Sequence, residues 1–326
     1  MEKGTEPVWQ YIVKRILLMI PTLLGAALVV FLLMNVVPGD IAMLVLGAGE
    51  QGGDVQLAEL ERVRQKLGLD RPLYEQFFSW VWGIVRFDFG TSLWTGAPVT
   101  EELWIRFPLT FEVAIFATLI SALIAIPLGT LAAIRQDTWI DYAVRVFSIG
   151  GQAIPNFWTG VLLILLLVIW FQWSPPLVFV PLWEDPWENF KQLVWPIVTV
   201  GYRNAAVSTR LTRSAVLEVM REDYIRTAWA KGLREGIVVA KHTLKNAMLP
   251  VITIIGAEFA LLMGGLVVTE TVFTLNGLGR FIVDAILHRD IPVVQTMVVL
   301  TAFFIVFVNL LEDLLYAWLD PRISYR

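Results

Sequence analysis

From Ile16 to Val36 no residue carries a charge, and none does from Val146 to Trp173 or from Ile291 to Leu311. A helix needs about 20 consecutive apolar residues to cross the hydrocarbon of a bilayer. In lipid every backbone N–H and C=O must be satisfied within the protein, so runs of this kind become helices. Two further stretches carry a single acid each: Leu109–Ile134, with Glu112 near one end, and Ala247–Thr269, with Glu258 inside it. Val194 to about Leu211 is similar but interrupted by Arg203. The last run continues towards Leu319. The expectation is an all-α integral membrane protein with about six transmembrane helices. With 57% apolar residues and only 17% charged, a soluble globule could not hide this surface. Trp139, Trp173, Trp183, Trp195 and Trp318 stand where apolar runs meet polar loops, as an aromatic belt requires. Lys14 and Arg15 precede the first run as they would in a signal peptide, but the run is too long for one and no small-residue cleavage site follows. A retained anchor is expected.

Orientation follows from Lys and Arg in short loops. One side carries Lys14, Arg15, Arg135, Arg145, then Arg213, Arg221, Arg226, Lys231, Arg234, Lys241 and Lys245, and finally Arg322 and Arg326. The short loops of the other side carry Lys191, Arg280 and Arg289. Both termini and the loop Thr212–Asn246 are therefore expected in the cytoplasm. The expected organisation is a cytoplasmic N-terminus and first span at 1–36, an extracytoplasmic helical cap at 37–108, a five-span core at 109–319 that includes the cytoplasmic loop 212–246, and a cytoplasmic tail at 320–326. Within the cap, Val55–Leu67 and Arg71–Val85 have helical amphipathic spacing, and Gly68 would stop the first of these.

Catalytic chemistry finds little footing. There is no cysteine, which excludes disulfides, thiolate metal sites and cysteine nucleophiles. The two histidines, His242 and His288, fall on opposite sides of the membrane in this topology. Glu101 and Glu102 are adjacent, and an i, i+1 pair does not share a helix face. No Gly-Lys dipeptide occurs, so no Walker A loop is present to cradle phosphates. Any ATP that drives this protein must bind to another chain. Ionisable groups at membrane depth usually face a bundle interior or a wet cavity, which singles out Arg203 and Glu258 as candidates to line a path. Arg203 also suits snorkelling from a span end. Gln152 and Asn156 flank Pro155 and are further path candidates, or helix-to-helix glue around a kink. In the cytoplasmic loop, Ser214–Lys231 suits a helix, and Gly232 can take the left-handed conformation that ends one. A short basic helix with small residues beside a glycine turn would plug a groove on a soluble partner. Its charge also satisfies the positive-inside rule without any partner.

The run Asp223-Tyr-Ile-Arg-Thr-Ala-Trp-Ala-Lys-Gly-Leu233 resembles the cytoplasmic "EAA" loop of binding-protein-dependent ABC import permeases. The resemblance extends along nearly the whole chain. It includes Ile20-Pro-Thr-Leu-Leu-Gly25, Val37-Pro-Gly-Asp40, Leu67-Gly-Leu-Asp-Arg-Pro-Leu73, Phe87-Asp-Phe-Gly-Thr-Ser92, Gly277-Leu-Gly-Arg280, Arg289-Asp-Ile-Pro-Val-Val-Gln295 and Leu319-Asp-Pro-Arg-Ile323. Order and spacing together are similar to the first-permease type of the dipeptide, oligopeptide and nickel group. Thr227 stands where the wider importer pattern has glutamate, and Leu244-Lys245 where it has Leu-Pro. The resemblance implies that Arg226, Thr227, Ala228, Ala230, Lys231, Gly232 and Leu233 belong to a loop that docks on an ATPase subunit. It implies a second permease, two ATPase subunits that bind ATP and Mg, and an extracytoplasmic receptor. The chain itself would bind no cofactor or metal. Residues Gly277, Gly279, Arg280, Asp284 and Asp290 are candidates for a receptor-facing loop. The implied function is passage of short peptides across a bacterial or archaeal plasma membrane. The same machinery could carry nickel chelates, opines or oligosaccharides, and an ion-coupled secondary transporter is the reading from another class.

Overall fold

A computed structural model of the chain describes residues 8–36, 57–66, 70–176 and 178–319. The Val37–Asp40 motif, Gly68 and the tail at 320–326 lie outside the described residues. The described chain is nearly all helix. The elements are α1 (Val8–Val36), α2 (Leu57–Lys66), α3 (Leu73–Val85), α4 (Val99–Ile134), α5 (Trp139–Ala153), α6 (Asn156–Phe171), α7 (Pro186–Met220), α8 (Asp223–Ala230) and α9 (Glu235–Ile237). A π-helical segment (Val238–Thr243) then leads into α10 (Leu244–Met263), followed by α11 (Val267–Val272), α12 (Leu278–Leu287) and α13 (Ile291–Leu319).

Among the described residues, four helical stretches are long and apolar enough to cross a membrane: Val13–Val36, Val99–Ile134, Glu235–Met263 and Ile291–Leu315. A fifth arises if α5 and α6 together make one span. These two helices replace the single run expected at Val146–Trp173, and they meet at an angle of 99°. Pro155 is the cause. It has no N–H to donate into a helix, and Ile154 before it is forced into the extended region (φ −88°, ψ 126°). The expected span at 194–211 is the middle of the much longer α7, whose polar residues keep it outside the apolar set. The span expected at Ala247–Thr269 stops at Met263, because the helix breaks at Gly264–Gly265, where Gly265 has φ +124°. Thr269 then belongs to α11.

α4 and α7 form the spine. Apolar association gains little inside lipid, so close contact between small residues must hold membrane helices together. α4 supplies Ala117, Ser121, Ala125 and Gly129, four apart and therefore on one face. α7 answers with Gly201, Ala205, Ser208, Thr209 and Thr212, all buried. A methyl group added at Gly129 would lie 2.6 Å from the Thr212 Cβ, so the two backbones are nearly touching there. Around this seam Leu109, Val113, Leu193, Ile197, Val200 and Phe273 make a core towards one end. Ala133, Val216, Ala247 and Val251 make another towards the opposite end.

Candidate functional site

The helix expected over Ser214–Lys231 is two helices. α7 ends at Met220, Glu222 is extended (φ −67°, ψ 146°), and α8 restarts at Asp223. The break lets α8 turn its apolar side inward. Ile225, Ala228 and Val238 form a small buried cluster to which Val219 and Leu233 add. The turn after α8 forms as the glycine suggested. Gly232 has φ +76°, its N–H donates to the Trp229 carbonyl at 2.9 Å, and the Leu233 N–H donates to the Ala228 carbonyl at 3.4 Å. This is the Schellman pattern, and the contact of Leu233 with the buried cluster completes it.

The candidate coupling residues therefore divide. Arg226, Thr227, Ala230, Lys231 and Gly232 are exposed, whereas Ala228 is buried and Leu233 packs inward. The exposed set is a small, basic surface able to receive a partner. The Arg226–Asp223 ion pair (3.4 Å) is fully in solvent and adds little. The underside of α8 rests on the π segment. Val238 and Val239 are buried there, and the Thr243 hydroxyl donates to the Val238 carbonyl at 3.2 Å within the widened turn. Asn246 on α10 donates to the Tyr224 hydroxyl at 2.7 Å. α8 is thus joined to α10 by this hydrogen bond and by the π segment between them. The π segment had no sequence signal, because it differs from α-helix by one residue per turn and not by composition.

An ionic clamp joins α5 to α7. Asp141 on α5 is buried and accepts from Arg213 on α7 through Nε (2.6 Å) and Nη2 (2.8 Å). Arg145 donates to the same carboxylate at 2.6 and 3.1 Å, and the Asp137 N–H at 3.0 Å. Sequence reasoning counted Arg145 and Arg213 as loop charges and missed their shared acid.

The path candidates lie along α7 and its neighbours. Gln152 donates to the carbonyls of Ser148 (3.1 Å) and Ala206 (3.4 Å). Asn156, one residue past Pro155, donates to the Thr269 hydroxyl at 3.4 Å. Glu258 on α10 accepts from Ser208 on α7 at 3.1 Å. Arg203 is exposed on this isolated chain and makes no ion pair with Glu258.

At the opposite end, two buried acids order the loop 264–290. Glu270 is completely buried. It accepts from the Thr110 hydroxyl at 2.7 Å and from the Arg280 N–H at 2.8 Å, and Thr110 in turn accepts from the Leu278 N–H at 2.9 Å. Its carboxylate thus sits on the N-terminus of α12, where negative charge is favoured. Burial pushes the Glu270 carboxyl above the usual range, and the bonds from Thr110 and the Arg280 N–H oppose that rise. Asp290 is also buried. It accepts from the Ser92 hydroxyl and from the Leu93 N–H at 3.2 Å, and so ties the Phe87–Ser92 motif to the start of α13. Gly277 and Gly279 are buried as well. A methyl group on Gly279 would lie 2.5 Å from the Val267 backbone nitrogen. Three of the five residues expected to face a receptor, Gly277, Gly279 and Asp290, are therefore buried, because the glycines allow close backbone packing and Asp290 holds the turn at Ser92 and Leu93. Arg280 and Asp284 remain partly exposed and lie 3.9 Å apart.

A helical membrane spine with a short helix docked under one span and presenting a small basic surface is the build of a transporter's membrane subunit. Residues 125–325 match the family model of the binding-protein-dependent transport system inner membrane component, and residues 8–114 match the model of its N-terminal region. The chain belongs to this family. It is 39% identical over 314 residues to a putative peptide transport system permease protein of Brucella suis, covering 96% of this chain and 98% of that one. It is 37% identical over 341 residues to the dipeptide transport system permease protein DppB of Escherichia coli K12, covering 97% and 99%. DppB of Alkalihalophilus pseudofirmus is 36% identical with the same coverage. Among solved structures, the fold is similar to a chain of the MetNI methionine ABC transporter in its inward-facing conformation. The TM-score is 0.51 at 17% identity, over 68% of this chain and 96% of that one.

Proposed function

We propose that this chain is the permease subunit of an ATP-driven ABC importer and forms half of a path for short peptides. The observation that carries the reading is near-full-length similarity to permeases named for peptide and dipeptide transport. The chain is non-catalytic. ATP and Mg are bound by two ATPase subunits, one of which receives the exposed face of α8. A second permease completes the path, and an extracytoplasmic binding protein delivers the peptide, with Arg280 and Asp284 among the residues that meet it. The test is reconstitution of the complete transporter in liposomes with labelled dipeptide. Uptake should require ATP, the receptor and this chain together. Uptake by this chain alone without ATP would favour an ion-coupled carrier instead.

Both termini and α8 lie in the cytoplasm in this reading, and α7 crosses the membrane beside α4. The basic residues of the loop 212–246 and the long α4–α7 seam support this. The absence of native cysteine makes a direct check practicable. In intact cells a membrane-impermeant maleimide should label Glu184→Cys and spare Glu235→Cys until the membrane is opened. The reverse pattern would invert the topology.

Arg203 and Glu258 line the path in this reading. An exposed arginine in the middle of a long helix is expensive in lipid, and a wet cavity removes that cost. Arg203→Gln and Glu258→Gln should each lower dipeptide uptake several-fold at unchanged abundance and unchanged receptor affinity. Normal uptake in both variants would make the pair structural.

A further inference from the structure

The helix α3 has no buried residue, yet its composition is apolar and aromatic. Its exposed positions are not scattered. Tyr74, Phe78, Trp82 and Val85 recur at helical spacing and share one face, and Trp82 is 56% exposed. Glu75 and Ser79, also exposed, border that face as a polar edge. The remaining side packs on α1. Phe77 meets Phe31 edge-on at 5.4 Å between ring centroids, and Trp80 stacks on Phe31 at 6.0 Å.

That contact fixes the depth of α3. Phe31 lies five residues before the end of α1 at Val36, or about 7.5 Å along the helix axis. α1 is one of the helices apolar enough to span, and Leu28, Val29, Leu32 and Leu33 around Phe31 are exposed. A helix held at that level has its outer face level with the same surface that α1 turns to lipid. Interfacial helices characteristically bury an apolar face about 5–10 Å into the boundary between headgroups and chains. The Arg86 guanidinium lies 4.7 Å from the centre of the Trp82 ring, a pairing suited to the headgroup layer.

We propose that the Tyr74–Phe78–Trp82–Val85 face of α3 lies in the outer membrane interface, with lipid as its partner. The outer segment is then anchored on the bilayer by α3, and its receptor-facing part is confined to other residues. The proposal rests on α1 being a membrane span and does not depend on the transported solute.

The test uses the complete transporter with cysteines of the partner subunits removed, in liposomes of phosphatidylethanolamine and phosphatidylglycerol. Nitroxide labels go on Phe78→Cys, Trp82→Cys, Glu75→Cys and, as the lipid reference, Leu33→Cys. All four positions are exposed, and retained uptake confirms that each variant is folded. The ratio of oxygen collisions to collisions with a water-soluble nickel chelate reports lipid against water. Labels at 78 and 82 should read close to Leu33 and several-fold above Glu75. A ratio at 78 and 82 equal to that at 75 would overturn the proposal. So would nickel access at 78 that disappears when the receptor is added, which would make this a receptor surface. Loss of both kinds of collision at 78 and 82 would mean that protein covers the face, and would also overturn it. If Leu33 itself reads as water, the membrane placement of α1 fails and the proposal falls with it, whereas the peptide assignment is untouched by any of these results.

Discussion

Gly232→Val inserts and accumulates normally in the membrane but loses transport by on the order of tenfold or more. Gly232 holds φ +76°, and no atom lies within 4 Å of a methyl group built there. The surroundings therefore do not forbid a side chain, but the backbone does. A left-handed residue other than glycine costs about 1–2 kcal/mol, and a β-branched one more. An energy of that size shifts a local equilibrium by about tenfold. The turn opens, Leu233 leaves the cluster of Ile225, Ala228 and Val238, and α8 loses its fixed attitude on the π segment. Asparagine tolerates the left-handed region, so Gly232→Asn should keep most of the transport. Uptake and ATPase rates of the assembled transporter check both variants. Loss of transport with continued ATP hydrolysis is the expected signature of failed coupling. Equal loss in the valine and asparagine variants would show that surface shape and not backbone conformation matters at this position.

The second large effect is on folding. Asp141→Ala removes a buried carboxylate that answers two guanidinium groups and one backbone N–H. Breaking such a pair leaves Arg213, itself mostly buried, without its partner. Losses of about 3–5 kcal/mol are typical when one member of a buried pair is removed. Arg145 is partly in solvent and can recover hydration, so the lower end, about 3 kcal/mol, is expected. A lower thermal midpoint of the purified complex and reduced membrane abundance should follow. Replacing Arg226, whose partner Asp223 is in solvent, should change neither. A melting curve for Asp141→Ala identical to that of the native protein would mean that the clamp contributes nothing to α5–α7 packing.

The sequence made several elements legible for clear physical reasons. Uncharged runs of span length disclosed α1 and α13, and a run with the single acid Glu112 disclosed α4, since lipid leaves a helix no alternative. Gly232 and its neighbours disclosed the turn after α8, because the Schellman pattern is local. What escaped was long-range or angular. Hydropathy cannot see a bend, so Val146–Trp173 read as one span although Pro155 turns it by 99°. Glu270 and Thr110 are 160 residues apart, and Asp141 and Arg213 are 72 apart. No periodicity joins such partners. Gly277, Gly279 and Asp290 stand out as a motif in a loop expected to face outward, so exposure is the natural expectation. Their burial shows that the motif there serves packing against α11 and the fastening of the 92–94 turn to the start of α13.

In the proposed function this chain is indispensable to ATP-driven uptake of short peptides. Uptake of labelled dipeptide should be measured in cells lacking only this chain and in cells that express it again, with labelled nickel followed in parallel. Dipeptide uptake should disappear and re-expression should restore it, while nickel uptake is unchanged. Intact dipeptide uptake together with lost nickel uptake would contradict the assignment of peptide as the solute.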